Sequence, residues 1–505
     1  MPLPVICDHE ETLKLLAEAE RCAAVMEQGR TRENAVFASK YTARFRTPKL
    51  PSVMPLVEEE PDPHQDEVDK LIPGIERDYS VSTEYKGRRP SGHTELQKNF
   101  MRWLRSEFDI KEGEEIFTPT TEFDSKEAEK VVAKGNAHCF TCEGSINSNL
   151  LPQLFSGSLF KPHDEVLYCT PIYSMIPSRA NKLGLNILAI RGVKENHYKP
   201  NADDIEKALK AHPDARSLLL VNPGNPMGTF LSEEEIGKIA HVIKQHNNER
   251  IKQGKRPLFL VVDETFQSLL WHKPGAPYTE RERLPHMAKH RDLRNCTITI
   301  STFSKDLSPD HTFAYAYGNP SLIKQMEISD GQNSQIQEHA SAVFSDNTDS
   351  TRILKQHHDI NASHYRSHYA VLAGAVMHIN DELRKTLGGK EDFITFTAPP
   401  AAGFHVSLDF SKLAGLVPKG ESDALQTSAN LAEKLMNKEG LVAYPGEMFH
   451  MDGKDMILRF SLNMKMEKVK AAMERLEIFC LSLEPPGPWA GRTAERPGGD
   501  ITPQH

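Results

Sequence analysis

Short apolar runs alternate with helix-like patterns through the middle of the chain. The runs are rich in β-branched and aliphatic residues and predict strands at Glu165–Thr170, Asn186–Ile190, Ser217–Val221, Leu258–Val262, Thr297–Ser301 and Ala314–Tyr317. Between two of them, residues 232–246 have apolar positions at helical spacing, and Ser232 and Glu235 form a capping-box sequence at their start. Strands that alternate with helices predict an α/β fold, in which a mostly parallel sheet is sandwiched by helices.

The two ends of the chain differ from this middle region. Residues 12–28 predict an amphipathic helix, residues 47–73 are acidic and rich in proline, and residues 94–108 predict a second helix. After about residue 335 the pattern is mostly helical, with strands expected at residues 403–410 and 456–460. A last helix is expected at residues 467–483, before an aperiodic segment rich in proline and glycine.

Composition narrows the class of protein. The 61 Lys and Arg against 70 Asp and Glu leave a net charge of −9, so the chain lacks the basic character of nucleic-acid-binding proteins. It has no apolar run near the ~18 residues of a membrane span and no secretory-signal pattern at its N-terminus. Seven cysteines are few and odd in number, which favours a reducing compartment. We expect a cytoplasmic enzyme with no nucleic-acid or membrane partner and no metal site.

Chemically distinctive residues follow three of the predicted strands. Residues 222–229 (NPGNPMGT) follow the strand at 217–221, Asp263 and Glu264 follow the run at 258–262, and residues 301–305 (STFSK) close the strand that begins at Thr297. In open α/β sheets, ligands bind beyond the carboxyl ends of the strands. Each motif alone is explained by a turn, a helix cap or a solvated lysine. Their combination in this order favours a ligand-binding site.

These motifs resemble those of the fold type I enzymes that use pyridoxal 5′-phosphate (PLP), specifically the class I/II aminotransferase family with its 1-aminocyclopropane-1-carboxylate synthase relatives. The resemblance covers roughly residues 85–483 and includes VVDET at 261–265 and LRFSLN at 458–463. NPGNPMGT and STFSK are specific in this order, whereas the other two motifs are weak alone. The resemblance implies PLP as cofactor and a homodimer with active sites at its interface, in which Tyr85 reaches the phosphate of the neighbouring subunit.

The resemblance also implies roles for residues at the strand ends. Lys305 is expected to form a Schiff base with PLP and then to act as the base that moves the α-proton of the substrate. Asp263 is expected to pair with the protonated pyridine nitrogen, and Asn225 to donate a hydrogen bond to the ring oxygen O3′. Thr302 and Ser304 are expected to offer hydroxyl groups to the phosphate.

Further positions match the family's cofactor and substrate contacts. Gly144, Ser145 and Ile146 precede an apolar helical stretch and resemble the phosphate-binding turn. Tyr173, in TPIYS, is expected to stack on the pyridine ring. Arg459 is expected to bind the α-carboxylate of the substrate, because the planar guanidinium group matches a carboxylate with two hydrogen bonds.

The chain departs from the family pattern at two positions. The residue three places after Asp263 is usually a tyrosine whose hydroxyl hydrogen-bonds O3′, and here it is Phe266. An arginine that binds the phosphate usually follows the lysine by about eight residues, and residues 306–313 contain none. His311 or Thr312 is expected to replace it in part. The second departure weakens the aminotransferase prediction, because some lyases and synthases of this fold also lack that arginine.

The prediction is therefore a PLP-dependent enzyme that converts an α-amino acid to an α-keto acid by transamination, through an external aldimine and a quinonoid intermediate, with an α-keto acid as acceptor. A PLP-dependent lyase or synthase acting by elimination, C–S cleavage or cyclisation stays open as an alternative. A non-catalytic sensor of the same fold is a remote one, because residues 1–80 carry 10 Lys and Arg against 16 Asp and Glu and form no basic DNA-binding region.

The same reading divides the chain into four parts. An N-terminal helix and acidic arm (1–93) are expected to contribute to the small domain and to dimer contacts. A large PLP-binding domain (94–345) is followed by a smaller α+β domain (346–484), which both chain ends build, and by a disordered tail (485–505).

Overall fold

A computed structural model describes residues 54–55, 94–111, 114–117, 139–143, 146–156, 158–271, 284–306, 313–323, 325–326, 344 and 348–486. In chain order its strands are β1 (Met54–Pro55), β2 (Cys139–Glu143), β3 (Glu165–Thr170), β4 (Asn186–Arg191), β5 (Ser217–Val221), β6 (Phe259–Asp263), β7 (Thr297–Thr302), β8 (Phe313–Gly318), β9 (Thr395–Phe396), β10 (His405–Asp409), β11 (Val417–Pro418), β12 (Leu441–Val442), β13 (Tyr444–Pro445), β14 (Ile457–Ser461) and β15 (Leu483–Glu484).

The helices range from one turn to 40 residues in length. They are α1 (Thr94–Phe108), α2 (Leu151–Ser156), α3 (Met175–Lys182), α4 (Ala202–Ala211), α5 (Glu233–Lys252), α6 (Arg291–Arg294), α7 (Phe303–Asp306), α8 (Pro320–Ile323), α9 (Thr348–Leu387), α10 (Ser428–Glu439) and α11 (Met466–Leu481). A π-helical turn at Ile146–Leu150 leads directly into α2.

The larger sheet has seven strands in the order β2-β8-β7-β6-β5-β3-β4. Strands β4, β3, β5, β6 and β7 are parallel to one another, whereas β8 is antiparallel to both β7 and β2. Residues 303–312 connect β7 to β8 and are too few for the crossover of about a dozen residues or more that a parallel return needs. The sheet is therefore mixed but mostly parallel, and the predicted α/β fold is confirmed.

The centre of this sheet is buried. Every residue of β5, β6 and β7 is buried, as expected of strands that are covered on both faces. Apolar residues of these strands form the hydrophobic cluster of the large sheet, to which helix α5 also contributes. The first turn of α5 carries the predicted capping box. The Glu235 amide donates to Ser232 Oγ (3.2 Å), and the Ser232 amide donates to Glu235 Oε2 (2.8 Å). These bonds satisfy two backbone donors that would otherwise be unpaired at the helix start.

A second, antiparallel sheet has the order β13-β14-β10-β9. One face of its central strands contributes four side chains to a second hydrophobic cluster, which also contains residues of α9, α10 and α11; the four are Val406, Leu408, Leu458 and Phe460. Because side chains alternate along a strand, the other face carries the residues in between. The register on that face pairs His405 with Ser461 and Ser407 with Arg459.

Most predicted elements are confirmed, with shifted ends. The bounds of β3, β5 and α1 agree with the prediction, and α5 continues to Lys252. Strand β6 begins and ends one residue later than expected, so Asp263 is the last residue of the strand. Strand β1 pairs with β12, which joins an N-terminal segment to the C-terminal part of the chain. The helix expected at 12–28 lies outside the described residues. In the described part of the chain, no helix is both long and apolar enough to cross a membrane.

Candidate active site

Three adjacent parallel strands bring the sequence motifs to one edge of the large sheet. Strand β6 lies between β5 and β7, with Val221 paired to Asp263 and Asp263 paired to Ile300. The carboxyl ends of the three strands are therefore side by side. At this edge the loop 222–229 and the lysine-bearing helix α7 begin, and β6 ends with Asp263. Ligands bind at the corresponding edge in open α/β sheets.

Asp263 is a buried carboxylate held in place by Thr265. The Thr265 amide donates to Asp263 Oδ1 at 2.9 Å, and the Thr265 hydroxyl donates to the same oxygen. Burial raises the pKa of Asp263 to about 6, although the two Thr265 hydrogen bonds act in the opposite direction. Among the described residues, no cationic side chain forms an ion pair with Asp263. A buried carboxylate in this state is suited to a cationic ligand group.

Lys305 lies on α7, one turn beyond the end of β7. Its Nζ is 5.9 Å from the ring centroid of Phe404, which belongs to the segment that leads into β10. Burial lowers the pKa of Lys305 to about 7, and the positive charge of Arg459 adds to this effect. A large share of the amine is thus unprotonated at neutral pH, which is the form that attacks a carbonyl carbon.

Thr302 and Ser304 frame the start of α7. The Ser304 amide donates to Thr302 Oγ1 at 3.1 Å, and the Thr302 hydroxyl donates to Ser304 Oγ at 3.0 Å. The two hydroxyls therefore lie next to each other. Thr302 is the last residue of β7, and Ser304 directly precedes Lys305. The structure brings these two predicted phosphate contacts together at the sheet edge.

The two asparagines of the loop 222–229 have different partners. Asn222 Oδ1 accepts from the Leu231 amide (2.9 Å) and Asn222 Nδ2 donates to the Pro285 carbonyl, so this side chain fixes the loop to the large sheet. Asn225 Oδ1 instead accepts from Arg459 Nη1 at 3.1 Å. The amide NH₂ of Asn225 is therefore the end that is oriented away from Arg459.

Arg459 joins the second sheet to this site. Its guanidinium carbon lies 4.4 Å from the ring centroid of Tyr444 and 5.1 Å from that of Phe449, so two aromatic rings hold it. Burial lowers the pKa of Arg459 to about 10, while Tyr444 and Tyr173 nearby act to raise it. Among the residues that the structure describes, its buried Nε has no hydrogen-bond partner and no carboxylate pairs with its guanidinium group. A buried, unpaired guanidinium group is suited to a carboxylate ligand.

Phe266 packs beside the site rather than in the core of the large sheet. Its ring makes edge contacts with Phe404 (5.3 Å between centroids) and His405 (5.1 Å). Gly403 lies against the same ring, at a backbone φ of 74° that suits glycine. Tyr173 follows β3 and is half-buried near Arg459.

Several predicted contacts are not brought into the described site. Tyr85, Gly144 and Ser145 lie outside the described residues, as do His311 and Thr312. The side chain of Ile146 is buried in the hydrophobic cluster of the large sheet.

The residues that surround Arg459 were not predicted from the sequence. Tyr444, Phe449 and His405 come from segments with no distinctive motif, and they reach the site through strand register and turns. The one available signal was alternation in β10, where His405, Ser407 and Asp409 interrupt an apolar run at every second position.

Comparison with known proteins identifies the family. The model of the family "Aminotransferase class I and II" matches residues 136–476, which is more than half of the chain. The chain belongs to this family. Its members depend on PLP, so the protein is a PLP-dependent transferase, and the predicted family, enzyme class and cofactor are confirmed.

Relatives within the family have diverged far from this chain. A bifunctional aspartate aminotransferase and glutamate/aspartate-prephenate aminotransferase of Petunia hybrida is 22% identical over 391 residues, which cover 75% of this chain and 73% of the relative. The aspartate aminotransferase of Bacillus subtilis (strain 168) is 24% identical over 226 residues, 43% of this chain and 52% of that protein. The chain thus matches only about half the length of the latter.

Solved structures agree on the fold. The aspartate aminotransferase from Rhizobium meliloti superposes with a TM-score of 0.62 at 18% identity, covering 96% of this chain and 100% of that one. The aspartate aminotransferase from Thermus thermophilus with maleate gives 0.59 at 18% identity, covering 93% and 96%. At this identity the similarity establishes the fold and nothing finer.

The residues of the site fit PLP. Asp263 is a buried carboxylate that lacks a cationic partner in the described chain, as the protonated nitrogen of a pyridine ring requires. Lys305 is an amine with a pKa lowered to about 7. Thr302 and Ser304 supply hydroxyl groups at the same sheet edge, and Asn225 presents an amide NH₂ group. Together they offer a partner for the ring nitrogen, the aldehyde, the ring oxygen and the phosphate.

Proposed function

We propose that the protein transfers the amino group of an α-amino acid to an α-keto acid, with Lys305 as the catalytic residue. Asp263 would hold the pyridine nitrogen protonated, Asn225 would bind the ring oxygen, and Thr302 and Ser304 would bind the phosphate. Arg459 would bind the α-carboxylate of the substrate. The Asn225–Arg459 hydrogen bond carries this proposal, because it joins the loop 222–229 to a guanidinium group that pairs with no carboxylate of the described residues.

The positions of these side chains support a sequence of proton movements. PLP, when bound, supplies a carbonyl carbon that accepts the amino group and a ring that accepts electrons from Cα. Arg459 orients the substrate by its carboxylate. Lys305 Nζ would act as the base that takes the proton from Cα of the substrate and would give the proton back when the amino group is transferred. The ionised carboxylate of Asp263 would pair with the protonated ring nitrogen of bound PLP.

The remaining contacts follow the family resemblance. Tyr173 would stack on the ring, while Gly144, Ser145 and the backbone of Ile146 would add to the phosphate site. Tyr85 of the neighbouring subunit would reach the same phosphate. Phe266 would leave the ring oxygen with one fewer hydrogen bond than a tyrosine at that position provides.

Transamination is favoured over elimination, C–S cleavage or cyclisation because the relatives named above are aminotransferases. The test is an assay of the purified, PLP-loaded protein against a panel of α-amino acids, with and without an α-keto acid. Product that forms only when the keto acid is present supports transamination. Ammonia or thiol released without a keto acid would contradict it and favour a lyase.

The oligomeric state, the location in the cell and the domain boundaries belong to the same proposal. We expect a homodimer, so light scattering should give twice the chain mass of 56.8 kDa. We expect a cytoplasmic location, which cell fractionation tests. The boundary proposed at residue 345 is supported by two hydrophobic clusters, one made of residues between 146 and 326 and the other mostly of residues between 365 and 483. We expect limited proteolysis to cut first near residues 93, 345 and 484.

A further inference from the structure

The face of the small sheet that carries Arg459 is lined with polar side chains. In β10 and β14, the paired residues Ser407 and Arg459 form one row across this face, and His405 and Ser461 form the next. The first row contacts the loop of the large sheet: Ser407 Oγ donates to the Pro226 carbonyl (2.9 Å), and Arg459 donates to Asn225. This face therefore points toward the proposed active site.

The second row contains polar atoms that no group in the described part of the chain satisfies. His405 is 2% exposed and Ser461 is 1% exposed, yet His405 Nε2 and Ser461 Oγ have no hydrogen-bond partner among the described residues. Directly opposed residues in an antiparallel pair have Cβ atoms about 4.5–5.5 Å apart, so the two groups are neighbours. Because buried polar atoms without partners are rare in folded proteins, the pair indicates a place for a ligand.

The surroundings of His405 determine which ligand group fits. Burial lowers the pKa of His405 well below its ordinary value, and the charges of Arg459 and Lys305 lower it further. The imidazole is therefore neutral at physiological pH and is able to donate or accept a hydrogen bond. A neutral imidazole and a hydroxyl provide no positive charge for a side-chain carboxylate. An uncharged hydroxyl or amide group satisfies both.

We propose that His405 and Ser461 form a subsite that hydrogen-bonds an uncharged polar group on the side chain of the amino-acid substrate. The inference rests on the proposed function, in which Arg459 holds the α-carboxylate. The two rows are separated by two residues along the strand, about 7 Å. This distance is comparable with that between an α-carboxylate and the end of a side chain of three or four atoms.

Homoserine and norvaline test the subsite, because they differ only by a hydroxyl in place of a methyl group. Apparent dissociation constants come from the immediate change in the visible band when each amino acid is mixed with PLP-loaded protein. We expect homoserine to bind about tenfold more tightly than norvaline, as one neutral hydrogen bond provides. In His405→Phe this ratio should fall to about one, mainly because homoserine binds more weakly.

Two further variants keep the test decisive. His405→Gln should keep part of the preference for homoserine, since glutamine retains a hydrogen-bonding group. Ser461→Ala should reduce this preference, and it provides the test if His405→Phe does not fold. An unchanged ratio in both His405→Phe and Ser461→Ala, or no preference in the natural protein, would overturn the subsite while leaving the proposed function intact. No spectral change with any α-amino acid would instead overturn the proposed function and the subsite with it.

Discussion

The two sides of the candidate active site are built in opposite ways. On the cofactor side, Asn225, Asp263 and Lys305 lie at the ends of three adjacent strands of the large sheet. On the substrate side, Arg459 is the central residue of β14, and His405 is the first residue of β10, in the small sheet. The first side is fixed by turns and strand ends, and the second by pairing register.

This difference decides what a substitution does. A strand-end residue that faces the cofactor is replaced without altering the strand, so its loss should affect cofactor binding and chemistry. A residue in the register of the small sheet also contacts its neighbours, as Arg459 contacts Asn225, Tyr444 and Phe449. Changes on the substrate side should therefore alter binding first and the cofactor little.

Removal of the amine from the cofactor side should have the largest effect. Lys305→Ala should lose the visible absorption of covalently bound PLP and roughly 10⁴-fold or more of turnover, because nucleophile and base are lost together. Steady-state assays and absorption spectra measure both changes. Lys412→Ala, at an exposed lysine, is the control and should behave like the natural protein. Normal turnover by Lys305→Ala would break the assignment of the cofactor side.

Removal of the guanidinium group should affect the substrate side alone. Arg459→Ala should keep the visible band of PLP but lose about 2–5 kcal/mol of α-amino-acid binding, because a bidentate charged pair in a buried site is gone. Spectral titration with amino acids measures this. Arg475→Lys, at an arginine of α11 that donates to the carbonyls of Glu439 and Gly440, should bind normally. Equal affinity in Arg459→Ala would show that the carboxylate binds elsewhere.

A third prediction separates two consecutive acids on the cofactor side. Glu264 follows Asp263 but faces away from the site, where His286 Nδ1 lies 2.7 Å from Glu264 Oε2 and the Tyr317 hydroxyl donates to the same oxygen at 3.0 Å. Burial alone would lower the pKa of His286, but the charge of Glu264 and contact with Glu107 outweigh it and raise this pKa to about 9.

The sign of the pH dependence follows from this shift. Because the folded pKa lies above the ordinary value of 6.5, the protonated imidazole stabilises the fold fully below about pH 6.5, and the effect is lost as pH rises through 9. The loss should be on the order of 2–3 kcal/mol, or several degrees in Tm between pH 7 and 10. Glu264→Gln should flatten this dependence, whereas His378→Gln, at an exposed His–Glu contact, should not. A pH dependence unchanged in Glu264→Gln would refute the pairing.

The smallest expected effect concerns Phe266, where the two sides meet. Phe266→Tyr adds a hydroxyl beside the ring oxygen, and one hydrogen bond to a charged oxygen is worth roughly 1.5–3 kcal/mol. The pH at which the visible band of bound PLP changes should therefore fall by about one to two units. Phe393→Tyr, outside the site, should leave the midpoint unchanged. Identical midpoints in Phe266→Tyr and the natural protein would mean that residue 266 does not face the ring oxygen.

The same contrast explains what could be predicted from the sequence. Strand ends with turn residues, amides and a lysine are visible as local motifs, so Asn225, Asp263 and Lys305 were predicted from their positions. Register in a small sheet depends on contacts between segments. The rings around Arg459 and the orientation of His405 toward the site were therefore not predicted. Asp263 and Glu264 in VVDET are both buried, as is every residue of β6. Periodicity alone therefore did not separate the roles of these two acids.

The most direct test of the account is the identity of the lysine that binds PLP. Borohydride reduction of the PLP-loaded protein fixes the cofactor to the residue that carries it, and peptide mapping by mass spectrometry then locates the modified lysine. We expect a single pyridoxyl group on Lys305. A modified lysine elsewhere, or no modified lysine at all, would contradict the account.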